Sequence, residues 1–393
     1  MAEQLIILGN GFDLRRDLKS SYADFYRDRY ESQLYKDKIG YLKSVNGEKF
    51  ENLDFDLNIW DIILCEIEEV RNAYWKDIEE VIRKYVIMSD PEIVEAINVG
   101  LNNGGRDQIL ERFDFRARER IFIEAPNGDL HSSDKEDFFE LFDENFSFSN
   151  FFDFLMTELK KFEKEFAKYL FNQCSGKYSE YYAIMSTIIL SKIIEFDTDN
   201  KIFDTKVISF NYTSPFNANN SIYQLKDESQ IEIQKIQNVH GRLPHDIVFG
   251  IDRNAENETL PPQALPFTKT YRSLSVGQSN HQIKLFSKDT KIIKFYGHSL
   301  GEMDYTYFKV IFDSVDLVNG IVQLIFFFSL YNKHKDKENT EAEDNEIREE
   351  NYKRIDNLIR RYEDETMSKD SDVLLHKLRL EGRLLLLEEG SYW

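Results

Sequence analysis

The chain opens on an uninterrupted apolar run, Leu5-Ile6-Ile7-Leu8, that passes directly into Gly9-Asn10-Gly11-Phe12-Asp13. Such a run is a short buried strand, and closely spaced glycines after it form the tight turn through which a sheet meets a ligand. Ser20 or Ser21 then supplies a helix cap ahead of Tyr22-Ala23-Asp24-Phe25-Tyr26, giving strand, loop and helix in succession. Apolar residues next recur at three and four spacing along Trp60 to Val86 and Phe151 to Phe171, the signature of amphipathic helices. Strand signals return at Lys206 to Phe210, Ile236 to Val239, Ile247 to Phe249, Lys291 to Tyr296 and Ile321 to Leu330, with a crossover helix over Asp304 to Val318. The charge-dense stretch Lys333 to Asn351 reads as a mobile connection or a solvated helix start. An amphipathic helix over Tyr352 to Tyr362 follows, and Leu374 to Glu389 reads as a last helix and a strand closing a sheet edge.

This order predicts an α/β protein with a Rossmann-like, mostly parallel sheet and a large helical insertion. The expected division is 1–50 for the first part of the nucleotide-binding domain, 51–200 for the helical insertion, 201–332 for the rest of the domain, and 333–393 for the charged connection and the C-terminal segment.

Composition narrows the class. A chain of 393 residues is long for a single core, which suits one large α/β domain with a substantial insertion or two domains in contact. With 71 acidic against 50 basic residues the net charge is −21, which repels polyanions and disfavours nucleic acid as a partner. Two cysteines, Cys65 and Cys174, are too few for a disulfide framework or a cysteine-built zinc module, so no metal is expected and a reducing compartment is. The longest apolar stretch, Ile321 to Leu330, is broken by Gln323 and Ser329 and falls short of the roughly 18 residues a membrane span needs. The expectation is a soluble cytoplasmic protein without a membrane partner, and a homo-oligomer is compatible with it.

Candidate chemistry gathers at three strand ends. Gly9-Asn10-Gly11-Phe12-Asp13 lacks the third glycine of the dinucleotide fingerprint and could be an ordinary turn, yet parallel sheets place ligands beyond the carboxyl ends of their strands. Asp13 could accept from a ribose hydroxyl or cap the next helix. Asn211 and Thr213 follow the strand at 206–210; an amide there can orient a ribose or a water, or simply form a turn. His240-Gly241 offers a base with space beside its ring, against the commoner case of a structural histidine. Gly297-His298-Ser299-Leu300-Gly301-Glu302-Met303-Asp304 has the spacing of a serine nucleophile elbow. The later His334 and His376 are poorly placed to complete a triad, which favours phosphate cradling over a Ser299 hydrolase. Lys269 is a surface lysine by default and a phosphate contact otherwise. Around Trp60, Asp61 and Cys65 could share a helix face with Glu66 nearby, as packing and solvation alone would also arrange.

Leu8-Gly9-Asn10-Gly11-Phe12-Asp13, Ser20-Ser21-Tyr22-Ala23-Asp24-Phe25, Phe210-Asn211-Tyr212-Thr213, Val239-His240-Gly241, Phe249-Gly250-Ile251-Asp252 and Gly297 to Asp304, in that order, resemble the bacteriophage abortive infection AbiH family over residues 5 to about 330. The resemblance implies an intracellular bacterial antiviral protein whose activation, by a phage-derived or host trigger, arrests or kills the infected cell. More distantly, the order is similar to that of sirtuin-like, NAD-consuming domains. That likeness implies His240 and Asn211 as a catalytic pair and NAD as ligand or substrate. On it Gly9 and Gly11 would lie along the pyrophosphate and Gly297 and Ser299 at the adenosine half; with the other strand-end candidates, Asn10, Phe12, Asp13, Thr213, Gly241, His298 and Asp304, they make the expected nucleotide-binding set. The sirtuin Ala and Ser are replaced by Asn10 and Asp13, Phe210-Asn211-Tyr212-Thr213 stands for the Thr-Gln-Asn signature, and the zinc cysteines are missing, which argues against a protein deacylase. The function implied is hydrolysis of NAD or a related nucleotide; the alternative is a non-catalytic nucleotide sensor that gates a partner or an assembly.

Overall fold

The computed structural model describes residues 3–32, 58–64, 75–86, 151–175, 177–196, 204–214, 222–224, 230–244, 247–251, 260, 262–275, 285–330, 340–367 and 373–389. Much of the helical block expected over 51–200 lies outside them, as do Cys65, Glu66 and Asp252.

The chain forms two compact units, one of residues Met1–Ser20, Leu170–Asp246 and Gln278–Trp393, the other of Ser21–Tyr169 and Ile247–Gly277. The first holds the sheet. Its strands are β1 (Glu3–Leu8), β2 (Asp204–Ser209), β3 (Ile222–Gln224), β4 (Gln230–Asn238), β5 (Thr290–Tyr296), β6 (Gln323–Phe328) and β7 (Leu384–Glu388), in the order β3-β4-β2-β1-β5-β6-β7. All neighbours pair in parallel except β3, which runs antiparallel on the β4 edge. This is the Rossmann-like α/β sheet that the strand-and-helix order predicts, and β7 closes the far edge as expected.

Alternation along the buried strands sends side chains to two cores. Leu5 and Ile7 join Ile293, Phe295, Leu324 and Phe326 on one face, packed with residues of helices α8 (Tyr305–Ser314), α9 (Glu341–Thr366) and α10 (Leu374–Leu380). Ile6 and Leu8 join Val207, Ile292 and Tyr296 on the other, against Ile189, Leu190, Ile193 and Ile194 of helix α6 (Lys177–Glu195). Both faces are covered, so β1 and β6 are near-continuous apolar runs, while β2 and β5 mix apolar residues with buried polar ones such as Thr205 and Lys294. Helix α9 extends well ahead of Tyr352: the charged stretch is helical from Glu341, closed by a capping box between Thr340 and Glu343 and laced by pairs such as Arg360–Asp356, so a solvated helix start is what forms there.

The second unit includes helices α2 (Tyr22–Tyr30), α3 (Ile59–Leu64), α4 (Trp75–Val86), α7 (Lys269–Ser275) and α5 (Phe151–Gln173) as far as Tyr169. Ser21 caps α2 by accepting from the Asp24 N–H. Asp61 is fully buried, taking both guanidinium arms of Arg29 at 2.6 and 2.7 Å and the Tyr30 hydroxyl at 2.8 Å, a packing role. Two expectations are corrected here. Residues 247–249 form no strand: the Phe249 N–H donates to Glu163 and its carbonyl accepts from Arg272, so a buried ion pair holds this backbone in irregular form, with a single bridge at Ile251–Thr268. Lys269 is not a surface lysine; it is buried, with Nζ 2.9 Å from Glu79 Oε1, and its charge is already matched.

A buried cation also stands in the sheet. Lys294 on β5 is fully buried and donates to Gln4 Oε1 at 3.0 Å and to the carbonyls of Ile194 and Phe196 at 2.9 and 2.6 Å. It thereby neutralises the carbonyl end of α6, where the helix dipole favours positive charge. Lys294→Met would keep most of the volume and orphan those three acceptors. It is expected to lower stability by about 2–4 kcal/mol, read by urea unfolding.

Candidate functional site

The carboxyl ends of β1, β2, β4 and β5 carry the predicted residues. After β1 the chain leaves to one side of the sheet to make β2 and β4, and β5 then returns on the other side of β1. The β1/β5 boundary is therefore the topological switch point, where loops diverge and open α/β sheets bind ligands.

At that boundary the two tips touch backbone to backbone. The Gly9 N–H donates to the Tyr296 carbonyl at 3.0 Å and the Gly11 N–H to the Gly297 carbonyl at 2.8 Å. A Cβ on Gly11 would lie 2.7 Å from Gly297 Cα, one on Gly9 would collide with His298, and Gly297 has φ +66°. The glycines thus allow one strand tip to lie on another. Phe12 and Asp13 also bond within the turn, their N–H groups donating to the carbonyls of Gly9 and Asn10. With these amides engaged, a phosphate in this conformation must find donors elsewhere. Asn10 accepts from the Ser20 hydroxyl at 2.6 Å, which ties the turn to the start of the next segment.

Asp13 points into the protein. Its two oxygens accept from the Tyr182 hydroxyl of α6 and the Thr213 hydroxyl beyond β2, each at 2.5 Å. Burial raises its pKa to about 6, against the opposing effects of the Thr213 and Tyr182 hydrogen bonds, the Arg16 charge and the Asn211 side chain. Thr213 is further placed by Asn238, whose amide donates to the carbonyls of Asn211 and Thr213 at 2.6 and 3.0 Å. Asn211 is 5% exposed and its Oδ1 is buried with no hydrogen-bond partner.

His240, in the turn after β4, has Nε2 3.1 Å from Asp304 Oδ1. Gly241 follows with φ +89°, a conformation that favours glycine. His298, after β5, accepts the Leu300 N–H at Nδ1 at 2.9 Å, which puts its proton on Nε2, 3.6 Å from Asp304 Oδ2. Asp304 precedes α8 without capping it through its side chain, and instead faces both imidazoles. Phe210 packs edge-on against both rings, 5.4 Å from His240 and 4.4 Å from His298 between centroids. The arrangement is a histidine held by a carboxylate in an aromatic surround, able to move one proton between a reactant and the imidazole. Ser299 is exposed in the same loop, where the adjacent imidazole, His298, already faces Asp304.

Three groups outside the predicted set shape this region: Tyr182, Asn238 and Arg16. Tyr182 lies in an amphipathic helix 169 residues from the carboxylate it binds, a pairing invisible to local pattern. Asn238 stands two residues before His240 at a strand end, the same signal that marks Asn211. Among the described residues no cluster of His, Cys, Asp and Glu is arranged to hold a metal, and no helix is long and apolar enough to cross a membrane.

The family model described as bacteriophage abortive infection AbiH matches residues 5–328. No curated protein and no solved structure matches the chain.

Asp13 makes stability depend on pH. A carboxyl with its pKa raised from 3.8 to about 6 in the fold favours folding while protonated, an advantage complete below about pH 4 and lost as pH rises through about 6. Asp13→Asn, which stays neutral, is expected to gain about 3 kcal/mol relative to wild type between pH 4 and pH 7. Urea unfolding of both proteins across that range measures the gain; a constant difference would show that Asp13 titrates normally.

Proposed function

The chain belongs to the bacteriophage abortive infection AbiH family, proteins of antiphage defence, and from that premise we propose that it acts in the infected cell by hydrolysing NAD or a related nucleotide at the β1/β5 switch point. The observation that carries this reading is the His240–Asp304 pair, at 3.1 Å, at the ligand-binding end of a parallel sheet. The distant likeness to sirtuin-like domains supports the choice of nucleotide.

The reaction would break the bond between ribose C1′ and the nicotinamide nitrogen. The bonding electrons leave with nicotinamide and cancel its ring charge, C1′ becomes oxocarbenium-like, and water adds to it. His240 takes the proton from that water through the ring nitrogen remote from Asp304, and the carboxylate stabilises the imidazolium formed. Asn211, with a buried amide oxygen that has no hydrogen-bond partner, would accept from a ribose hydroxyl or from the water. Gly297, His298 and Ser299 would border the adenosine half. The products are nicotinamide, ADP-ribose and a proton.

A second reading, nucleotide binding without turnover, is favoured by the close seating of Gly9 and Gly11 on the β5 tip. Such contact would let a ligand shift the two loops together and gate a partner.

Measuring total NAD in cells after induction of wild type and His240→Ala, with purified protein tested on NAD in parallel, separates the two. A hydrolase depletes NAD in the wild type, and His240→Ala lowers the rate about 10²–10⁴-fold. Growth arrest with NAD unchanged removes NAD hydrolysis and leaves nucleotide sensing or another nucleotide as substrate. A sensor would keep its toxicity in His240→Ala and lose it on substitution of Gly9 or Gly11.

A further inference from the structure

Arg16 lies just beyond the glycine turn, is 5% exposed, and has all three guanidinium nitrogens buried without a hydrogen-bond partner. Its planar face rests on Phe12, 3.8 Å from the ring centroid, with the Tyr296 ring at 5.9 Å. Stacking satisfies the face of a guanidinium and leaves the five edge donors unserved. Burial weakens the cation's hold on its proton, while Tyr296, Asp13, Tyr182 and Glu389 strengthen it. The two carboxylates among them are bonded elsewhere. Asp13 accepts from Tyr182 and Thr213, and Glu389 accepts from the Tyr296 hydroxyl at 2.9 Å and Arg15 Nε at 3.2 Å.

Lys294 shows what this fold does with a buried cation of purely structural use: it receives three acceptors. Arg16 receives none, and a buried charge without hydrogen bonds is costly to the fold. A second orphan lies nearby: Asp13, whose carbonyl accepts the Arg16 N–H at 2.9 Å, also feels the Arg16 charge and a hydrogen bond from the Asn211 side chain, and Asn211 Oδ1 is itself without a partner. One group lacks an anion and the other a donor. A phosphorylated sugar supplies both, and the amides of the glycine turn are not competing for the phosphate because they bond to Tyr296 and Gly297.

We propose that Arg16 is the anion receptor of this site, its fork of donors taking phosphate oxygens of a phosphorylated ribose while Asn211 Oδ1 accepts from a sugar hydroxyl. The identity of the ligand as a nucleotide rests on the proposed function; the anion site rests on Arg16 itself.

The full chain is titrated with ADP-ribose, inorganic pyrophosphate and adenosine, by calorimetry and by thermal unfolding, as wild type, Arg16→Gln, Arg16→Met and Asn211→Ala. ADP-ribose and pyrophosphate are expected to bind wild type and raise its unfolding temperature, and adenosine to do neither. Arg16→Gln should weaken both anions about 10- to 100-fold, the loss of a charge-assisted bond. Asn211→Ala should weaken ADP-ribose alone. Without ligand, Arg16→Met should unfold at a higher temperature than wild type, because an apolar side chain replaces an unpaired charge; a structural arginine would give a lower one.

The proposal is overturned if neither anion binds wild type, if Arg16→Gln binds ADP-ribose as tightly, or if pyrophosphate binds and ADP-ribose does not. It fails separately from the hydrolase: unchanged KM for NAD in an active Arg16→Gln enzyme removes the receptor and keeps the chemistry. ADP-ribose binding that depends on Arg16 in a protein without NAD turnover keeps the receptor and removes NAD hydrolysis.

Discussion

The backbone contact between the tips of β1 and β5 is the constraint on which the rest of the site depends. Gly9 and Gly11 donate to the carbonyls of Tyr296 and Gly297, and a Cβ on Gly9, Gly11 or Gly297 would run into the opposite tip. That approach sets where Phe12 and Asp13 begin their short helix, and so where Asp13 meets Thr213 and Tyr182 and where Arg16 stacks on Phe12. On the β5 side it sets the course of Gly297 to Asp304, and with it the carboxylate that holds His240. A side chain at these glycines would therefore disturb the acid, the cation and the imidazole together.

The polar interior divides into groups whose bonds are complete and groups whose bonds are not. Lys294 closes the end of α6 with three acceptors, and Asp61 takes two arms of Arg29 and a tyrosine hydroxyl. These satisfied networks hold secondary structure in place. Asn211 Oδ1 and the Arg16 guanidinium are buried with nothing to bond to, and both act on Asp13 at the switch point. Buried polar groups are nearly always bonded in folded proteins, so these two exceptions beside Asp13 are what the proposed ligand site rests on.

Asp13 links the two classes. Its oxygens are fully hydrogen-bonded, yet burial still raises its pKa to about 6. A carboxyl that changes charge near neutral pH alters the field at Arg16, so the charge balance of the site depends on its protonation.

Local pattern determined the elements that packing on both faces requires. The run Leu5 to Leu8, the strand ending at Phe328 and the helix–strand pair at the C-terminus were legible from near-continuous apolar runs, and the strands ending at Ser209 and Tyr296 from shorter apolar segments, Val207-Ile208 and Ile292-Ile293 with Phe295. The residues at the strand ends were legible as candidates because parallel sheets present ligands beyond the carboxyl ends of their strands. Residues 247–249, equally apolar, were not separable from a strand by pattern: their hydrogen bonds go to Glu163 and Arg272, far away in sequence. Tyr182, Asn238 and Arg16 entered the site for the same kind of reason. The sequence by itself determined which residues are apolar, which can bond and where the chain must turn; only the tertiary structure decided which donor meets which acceptor, and which buried groups meet none, because those partners are brought together by the order of the strands.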